Sequence, residues 1–381
     1  MDVLIFGDTE TSATLRHELP LAIADPFLYV EANGRRAALT HVIDEQRIAA
    51  VAPEVELLLE DSFGRDELVA QGRSWREIER ELCLRAVTAL GVREAHVPSE
   101  FPIALADHLR AAGILLTPDE PLFEERRRRK TPAELAGIRR AADAALAALA
   151  EAASLLRAAS IVDENLVYDG APLTSELVRE RMREVCARAG ALASPEVMVR
   201  PVRPRLGSVH DPGSGQLPAH TPIEIDLWPR DDASSCWADM TRTFVCGAVS
   251  DAIAELHALV LEAHRRACGA TQAGVTGAAL YAVACDVFER AGHPTPRTKR
   301  PDEALREGFF FALGHGVGLA VHESPIIGRT GTDTLIAGDV IALEPGTYVE
   351  GLGGARVEDL LVVTEDGYEN LTRAFPYGLA P

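Results

Sequence analysis

The sequence predicts an α/β protein in two domains, the larger of them built twice over from a pair of helices followed by a strand hairpin. Three observations predict it. Residues 1 to about 125 alternate short β-type runs with helical ones, a strong helix start falls at Thr131, and beyond it the order of two helices followed by strands comes twice. The 381 residues suit two or three domains, and 47% hydrophobic residues suffice for sizeable cores.

Taken in order, Phe27–Val30 and Ala37–Thr40 flank Asn33-Gly34, the dipeptide that best tolerates the positive φ angles of a tight turn, so a hairpin is expected. Ser74 and Glu77 make a capping box ahead of Ile78, Leu82 and Ala86, and Gly91 closes that helix. A short strand near His96-Val97, a helix over about 103–112 ending at Gly113, and a strand at Ile114-Leu115-Leu116 follow. The run Arg126-Arg127-Arg128-Arg129-Lys130 reads as a linker with a solvated charged face. Directly after it, Thr131-Pro132-Ala133-Glu134 joins an N-cap, a proline at the first helical position and a glutamate three residues past the cap. The boundary is placed there, giving domains 1–125 and 131–381. In the second domain, helices at about 132–158 and 175–189 precede strands around 196–202 and 222–245. Helices at about 251–268 and 276–291 then precede strands around 309–313 and 338–363.

Lysine and arginine number 38 against 58 acidic residues, a formal charge of −20. That balance argues against nucleic-acid and anionic-membrane partners, both of which need a basic face. No apolar run approaches the roughly 20 residues that span a bilayer, and the acidic start MDVLIFGDTE lacks the basic opening of a secretory signal, so cytoplasmic residence is expected. The six cysteines are scattered and form no C-x-x-C pair, which makes them reduced thiols and leaves any metal chemistry to histidines and carboxylates.

Acids recur where strands should be apolar. Ile223-Glu224-Ile225-Asp226-Leu227 alternates as a strand does, turns through Pro229-Arg230-Asp231-Asp232 and returns through Asp239-Met240-Thr241-Arg242, so a hairpin would bring Asp226 and Asp239 face to face. A second hairpin would pair Glu344 with Glu358. Facing acids in an apolar setting are costly to ionise unless a cation sits between them, and two such pairs imply a strongly cationic occupant. Between the hairpins lies Gly314-His315-Gly316-Val317-Gly318, with His322 close behind. Four carboxylates and one imidazole favour Mn²⁺, leaving Co²⁺, Zn²⁺ and Fe²⁺ open, and two carboxylate-bridged ions suit a hydrolase. Gly213-Ser214-Gly215 lacks the elbow of a serine hydrolase, and Gly314, Gly316 and Gly318 are spaced wrongly for a dinucleotide fingerprint.

The strings IEIDLWPRDDASSCWADMTRTF, GHGVGLAVHESP, ALEPGTYVEG and GGARVEDLLVVTEDG resemble, in order and approximate spacing, the metal-site motifs of the Xaa-Pro peptidases of pita-bread fold, the prolidases and aminopeptidases P. Residues 1–125 are similar, with weaker motifs, to the creatinase-type N-terminal domain of those enzymes. The resemblance implies a dinuclear centre held by Asp226, Asp239, His315, Glu344 and Glu358, with Asp239 and Glu358 bridging two ions. It further implies hydrolysis of Xaa-Pro bonds in proline-containing peptides by a hydroxide between those ions, prolidase ahead of aminopeptidase P, and a homodimer. His322 matches the histidine at the scissile carbonyl, His210 the substrate-binding histidine, with His220 competing for that part, and Arg356 an arginine that orients the acids. Glu344 would also carry a proton to the leaving nitrogen. Phe311 stands where many relatives have a histidine, which would remove a polar contact from the pocket. A creatinase-like hydrolase or a binding protein on the same fold is the alternative, disfavoured because none of the five ligands is missing.

Overall fold

The computed structural model describes residues 1–203 and 209–381; Ser208, at the head of the His210 motif, lies outside the described residues. The chain divides into two compact units, Met1–Arg127 and Arg128–Pro381.

The first unit is built on a six-stranded mixed sheet, ordered Val55–Leu59, Arg35–Thr40, Phe27–Ala32, Val3–Gly7, Glu94–Val97 and Leu115–Pro118. Its central strands are buried on both faces. Leu4, Leu28 and Val30 pack with Ile78, Leu82 and Ala86, whereas the alternate residues Val3, Ile5 and Tyr29 pack with Leu15, Leu19 and Phe123. The expected hairpin forms with Ala32 opposite Arg35 and with φ of +52° at Asn33 and +76° at Gly34. The helix Trp75–Ala89 opens on the expected capping box.

The basic run spans the boundary between the two units, as a linker does, but it is not a solvated face. It ends a helix, Glu120–Arg128, whose Phe123 is part of the first unit's core. Arg126 donates to Glu18 at 2.8 Å and to Glu31 at 2.9 Å. Arg128 donates to both carboxylate oxygens of Asp339, at 3.0 and 2.7 Å. In a chain with so large an acidic excess the cations of such a run readily meet carboxylates, and Arg126 and Arg128 become ties.

The second unit repeats its plan. Helix Pro132–Ala158 packs on Ser175–Arg188, and Asp251–Ala270 on Gly277–Arg290. The first pair accompanies an antiparallel sheet of Met198–Pro201, Ile223–Leu227 and Met240–Phe244. The second pair accompanies a five-stranded sheet ordered Glu323–Ile327, Gly314–Gly316, Val340–Leu343, Asp359–Thr364 and Gly367–Asn370, with a separate hairpin of Gly346–Val349 and Gly353–Arg356. Two details differ from expectation. Arg230–Asp231, read as part of a turn, is a short strand paired with Ala191–Leu192, and Arg140 grips Asp231 at 2.8 and 2.7 Å. The strand expected at 309–313 begins only at Gly314: Phe309 and Phe311 are taken up by aromatic packing, and a side chain on Gly314 would strike the carbonyl of Ala342 on the adjoining strand.

Candidate metal centre

The first hairpin pairs Asp226 with Thr241 and Leu227 with Met240, so Asp226 and Asp239 are not face to face as the sequence suggested. Asp239 precedes Thr241 by two residues and thus lies on the same face one step further along, because the same register runs on to Arg230 opposite Trp237 and the chain turns only beyond it. In the second hairpin Leu343 pairs with Asp359, which makes Glu344 and Glu358 the next facing positions.

These acids converge with His315. Asp226, Asp239, His315 and Glu358 are 7%, 5%, 7% and 2% exposed. One potential ligand atom from each of Asp239, His315 and Glu358 lies within 4.8 Å of the others. His315 Nδ1 donates to the carbonyl of Gly316 at 3.1 Å, which turns Nε2 towards the acids, 3.6 Å from Glu344 and 3.9 Å from Asp239. The Oδ1 atoms of Asp226 and Asp239 are buried without a hydrogen-bond partner among the described residues.

Such crowding moves every titration. Burial first, then the charges of Glu358, Asp226 and Glu344, lifts Asp239 well above the usual carboxylate range. Burial, Glu344 and Asp226 do the same to Glu358. Glu344 is pushed up to about 8 by burial, against the opposing pull of Arg356, and Asp226 is raised for the same reason. Burial and the neighbouring His322 bring His315 down to about 4, so its imidazole is neutral at neutral pH. Mutually repelling carboxylates with unpartnered buried oxygens and a neutral imidazole are the donor set of a divalent cation site.

Other side chains hold this set. The Arg356 guanidinium bonds to Asp226 and lies 3.5 Å from Glu344 and 3.6 Å from Glu224. Glu224 is fully buried, accepts from Arg200 at 2.9 and 3.1 Å and from the Tyr348 hydroxyl at 2.7 Å, and its carboxyl is kept below the usual range by those arginines despite burial. Sequence reasoning missed Glu224, although an acid two residues before Asp226 shares its face of the strand and was a usable signal. Arg200 and Tyr348 gave no comparable sign.

A cavity of about 340 Å³ opens onto the acids, lined also by Glu196, Met198, His210, Trp228, Val321 and His322. The His322 ring meets that of His315 edge to face at 4.2 Å. His210 is exposed at the cavity, whereas His220 is spent elsewhere, its Nδ1 accepting the amide of Ala248 at 2.7 Å. Phe311 does not line this cavity; it borders another, of about 420 Å³, and packs edge to face on Phe309 and Phe310.

A buried acid and imidazole set between the duplicated halves of an α/β domain is the architecture of a metal-dependent hydrolase. The chain belongs to metallopeptidase family M24, whose family model matches residues 136–365. Over 136 residues it is 37% identical to the Xaa-Pro dipeptidase of Pyrococcus furiosus, a stretch that spans 36% of this chain and 36% of that relative's length. Its fold is that of the Xaa-Pro dipeptidase from Bacillus anthracis (TM-score 0.77, 22% identity, covering 99% of this chain and 94% of that one). It is equally that of the X-Pro aminopeptidase from Thermotoga maritima (TM-score 0.77, 21% identity, covering 99% and 96%). The mixed α/β fold expected from the motifs is therefore the one found, the pita-bread fold of these peptidases. Among the described residues no helix is long and apolar enough to cross a membrane, and all six cysteines are free and buried.

Proposed function

We propose that the chain is a peptidase dependent on two divalent metal ions, Mn²⁺ foremost, which hydrolyses Xaa-Pro bonds and prefers dipeptides to longer peptides. The observation that carries this reading is the convergence of Asp239, His315 and Glu358 within 4.8 Å, buried and flanked by the unpartnered oxygens of Asp226 and Asp239. Asp226, Asp239, His315, Glu344 and Glu358 would hold the ions. When bound, the ions supply Lewis acidity and lower the pKa of water towards neutrality.

The remaining work falls to the chain. Glu344, whose carboxylate reaches the cavity, takes a proton from the attacking water and passes it to the proline nitrogen as that bond breaks. His322 donates from its imidazole to the carbonyl oxygen as negative charge develops there. His210 contacts the substrate across the cavity, and Met198, Trp228 and Val321 offer the apolar wall that a proline ring needs. Arg356 keeps Asp226 and Glu344 aimed and, as part of the cavity lining, would also contact the substrate. We further assign residues 1–125 as a creatinase-type domain, residues 131–381 as the catalytic domain, a homodimeric state and a cytoplasmic location, on the resemblance of the motifs and the free thiols.

The test is hydrolysis of an Xaa-Pro dipeptide and an Xaa-Pro-Xaa tripeptide by Mn²⁺-reconstituted protein, with a chelator control. The dipeptide is expected to be cleaved faster and chelation to stop both. Cleavage of the tripeptide alone would make the enzyme an aminopeptidase, and cleavage of neither would reject the reading.

A further inference from the structure

We propose that Lys130 is a positioning residue for His322, acting through a buried ion pair with Glu323. This rests on the reading of His322 as the group at the scissile carbonyl. Lys130 closes the basic run that the sequence offered as a solvated face, yet its Nζ lies 2.5 Å from Glu323 Oε1 and both side chains are only 2% exposed. Burying two charges is costly unless their geometry is well fixed.

Here it is fixed from both sides. Arg128, two residues before Lys130, is tied to Asp339 through two hydrogen bonds and to the carbonyl of Thr334 at 2.8 Å. Directly after Lys130, Thr131 and Glu134 form a reciprocal capping box, with bonds of 2.6 and 3.2 Å, that starts the long helix. Lys130 therefore leaves a rigid stretch of backbone and has little freedom to follow its partner.

On the other side, the loop that ends in His322 folds around the Glu323 carboxylate. Glu323 Oε2 accepts the amide of Ala320 at 3.3 Å. The Gly318 amide donates to Ala320 at 3.0 Å, and the Gly318 carbonyl accepts the amide of Trp237 at 2.8 Å. A side chain on Gly318 would collide with Glu323 Oε1 and come within 2.7 Å of Lys130 Cε, so only glycine leaves room for the pair. Glu323 is buried while His322, its neighbour in the chain, is exposed at the cavity. His322 closes the bend that leads into the strand Glu323–Ile327, so anchoring the first residue of that strand fixes the end of the bend from which His322 projects.

The test uses the full chain loaded with Mn²⁺ and compares wild type with Lys130→Met, Lys130→Arg and Glu323→Gln. For Lys130→Met and Glu323→Gln, kcat on an Xaa-Pro dipeptide is expected to fall about tenfold to a hundredfold, as misplacement of a reacting group by a fraction of an ångström to an ångström does. KM and Mn²⁺ affinity should stay within about twofold of wild type, amide exchange in residues 317–323 should speed up, and Lys130→Arg should recover most of the activity. A kcat that is unchanged, or lost only in proportion to the unfolded fraction with exchange of 317–323 unaltered, would overturn the proposal. If Lys130→Met does not fold, Glu323→Gln, which keeps the side chain's volume, decides by the same readouts. A wild-type chain without Xaa-Pro activity would sink the proposed function alone, and the exchange measurement would still decide whether Lys130 orders the loop.

Discussion

Thr241 and Glu358, which belong to opposite halves of the duplicated domain, are joined by two hydrogen bonds. The Thr241 hydroxyl donates to Glu358 Oε2 at 2.7 Å, and the Glu358 amide donates to the Thr241 carbonyl at 3.0 Å. The halves are thus locked together at the acid set, and a carboxylate that would otherwise swing has one oxygen pinned. Thr241→Val keeps the shape and removes the hydroxyl. Mn²⁺ affinity is predicted to drop about 10- to 100-fold, the usual cost of losing a partner behind a metal ligand. Isothermal titration of the metal-free protein checks it, and an unchanged affinity would show that Glu358 needs no such support.

Glu224, fully buried, is the counter-charge of both Arg200 and Arg356. Glu224→Gln leaves those guanidinium groups under-compensated, and the loss of stability is predicted at about 3–5 kcal/mol. Urea denaturation of the metal-free variant and wild type measures it. A loss below about 1 kcal/mol, the range of exposed pairs, would contradict the burial assigned to this network.

Glu344→Gln and His322→Ala should each lower kcat by about 10²- to 10⁴-fold while the melting temperature of the metal-free protein stays close to wild type. The variants separate in a second assay. Glu344→Gln should also weaken Mn²⁺ binding, whereas His322→Ala should not. Wild-type kcat in either one would remove that residue from the mechanism.

The acid set makes stability depend on pH in a defined direction. Asp226, Asp239, Glu344 and Glu358 all titrate higher in the folded, metal-free chain than in the unfolded one, so the folded state holds more protons. Their contribution to stability is complete below the ordinary carboxylate range and is lost as pH rises through the folded values, which for Glu344 means up to about 8. Bound cations compensate the ionised acids. The rise in melting temperature on adding Mn²⁺ should therefore be larger at about pH 8 than at about pH 5.5. Calorimetry at the two values decides, and an equal or reversed difference would mean that these carboxylates are already ionised without metal.

The acids of the site were legible because they fall in pairs on two expected hairpins, within motifs that resemble those of the family; Asp226 lies in the strand Ile223–Leu227, and Asp239, Glu344 and Glu358 sit at strand ends. Helix starts at Ser74 and Thr131 and the turn at Asn33-Gly34 were legible because they are local, decided within four residues. What the sequence hid is long-range. The diagonal placement of Asp226 and Asp239 depends on a register that runs unbroken to Arg230 opposite Trp237, and the residues between them do not reveal where that turn closes. The burial of Lys130 depends on Glu323, which comes 193 residues later. A charged run looks solvated until its partners are placed, and no periodicity within the run reveals them.

The convergent acids and His315 are proposed as a metal centre without which this chain does no chemistry. The most direct test is to strip the protein of metal and titrate Mn²⁺ back while following hydrolysis of an Xaa-Pro dipeptide. No turnover is expected in the stripped protein, followed by a rise that saturates at about two equivalents per chain and is absent from Asp239→Asn. Turnover that persists in the stripped protein, or that is indifferent to the loss of Asp239, would contradict the assignment of this centre.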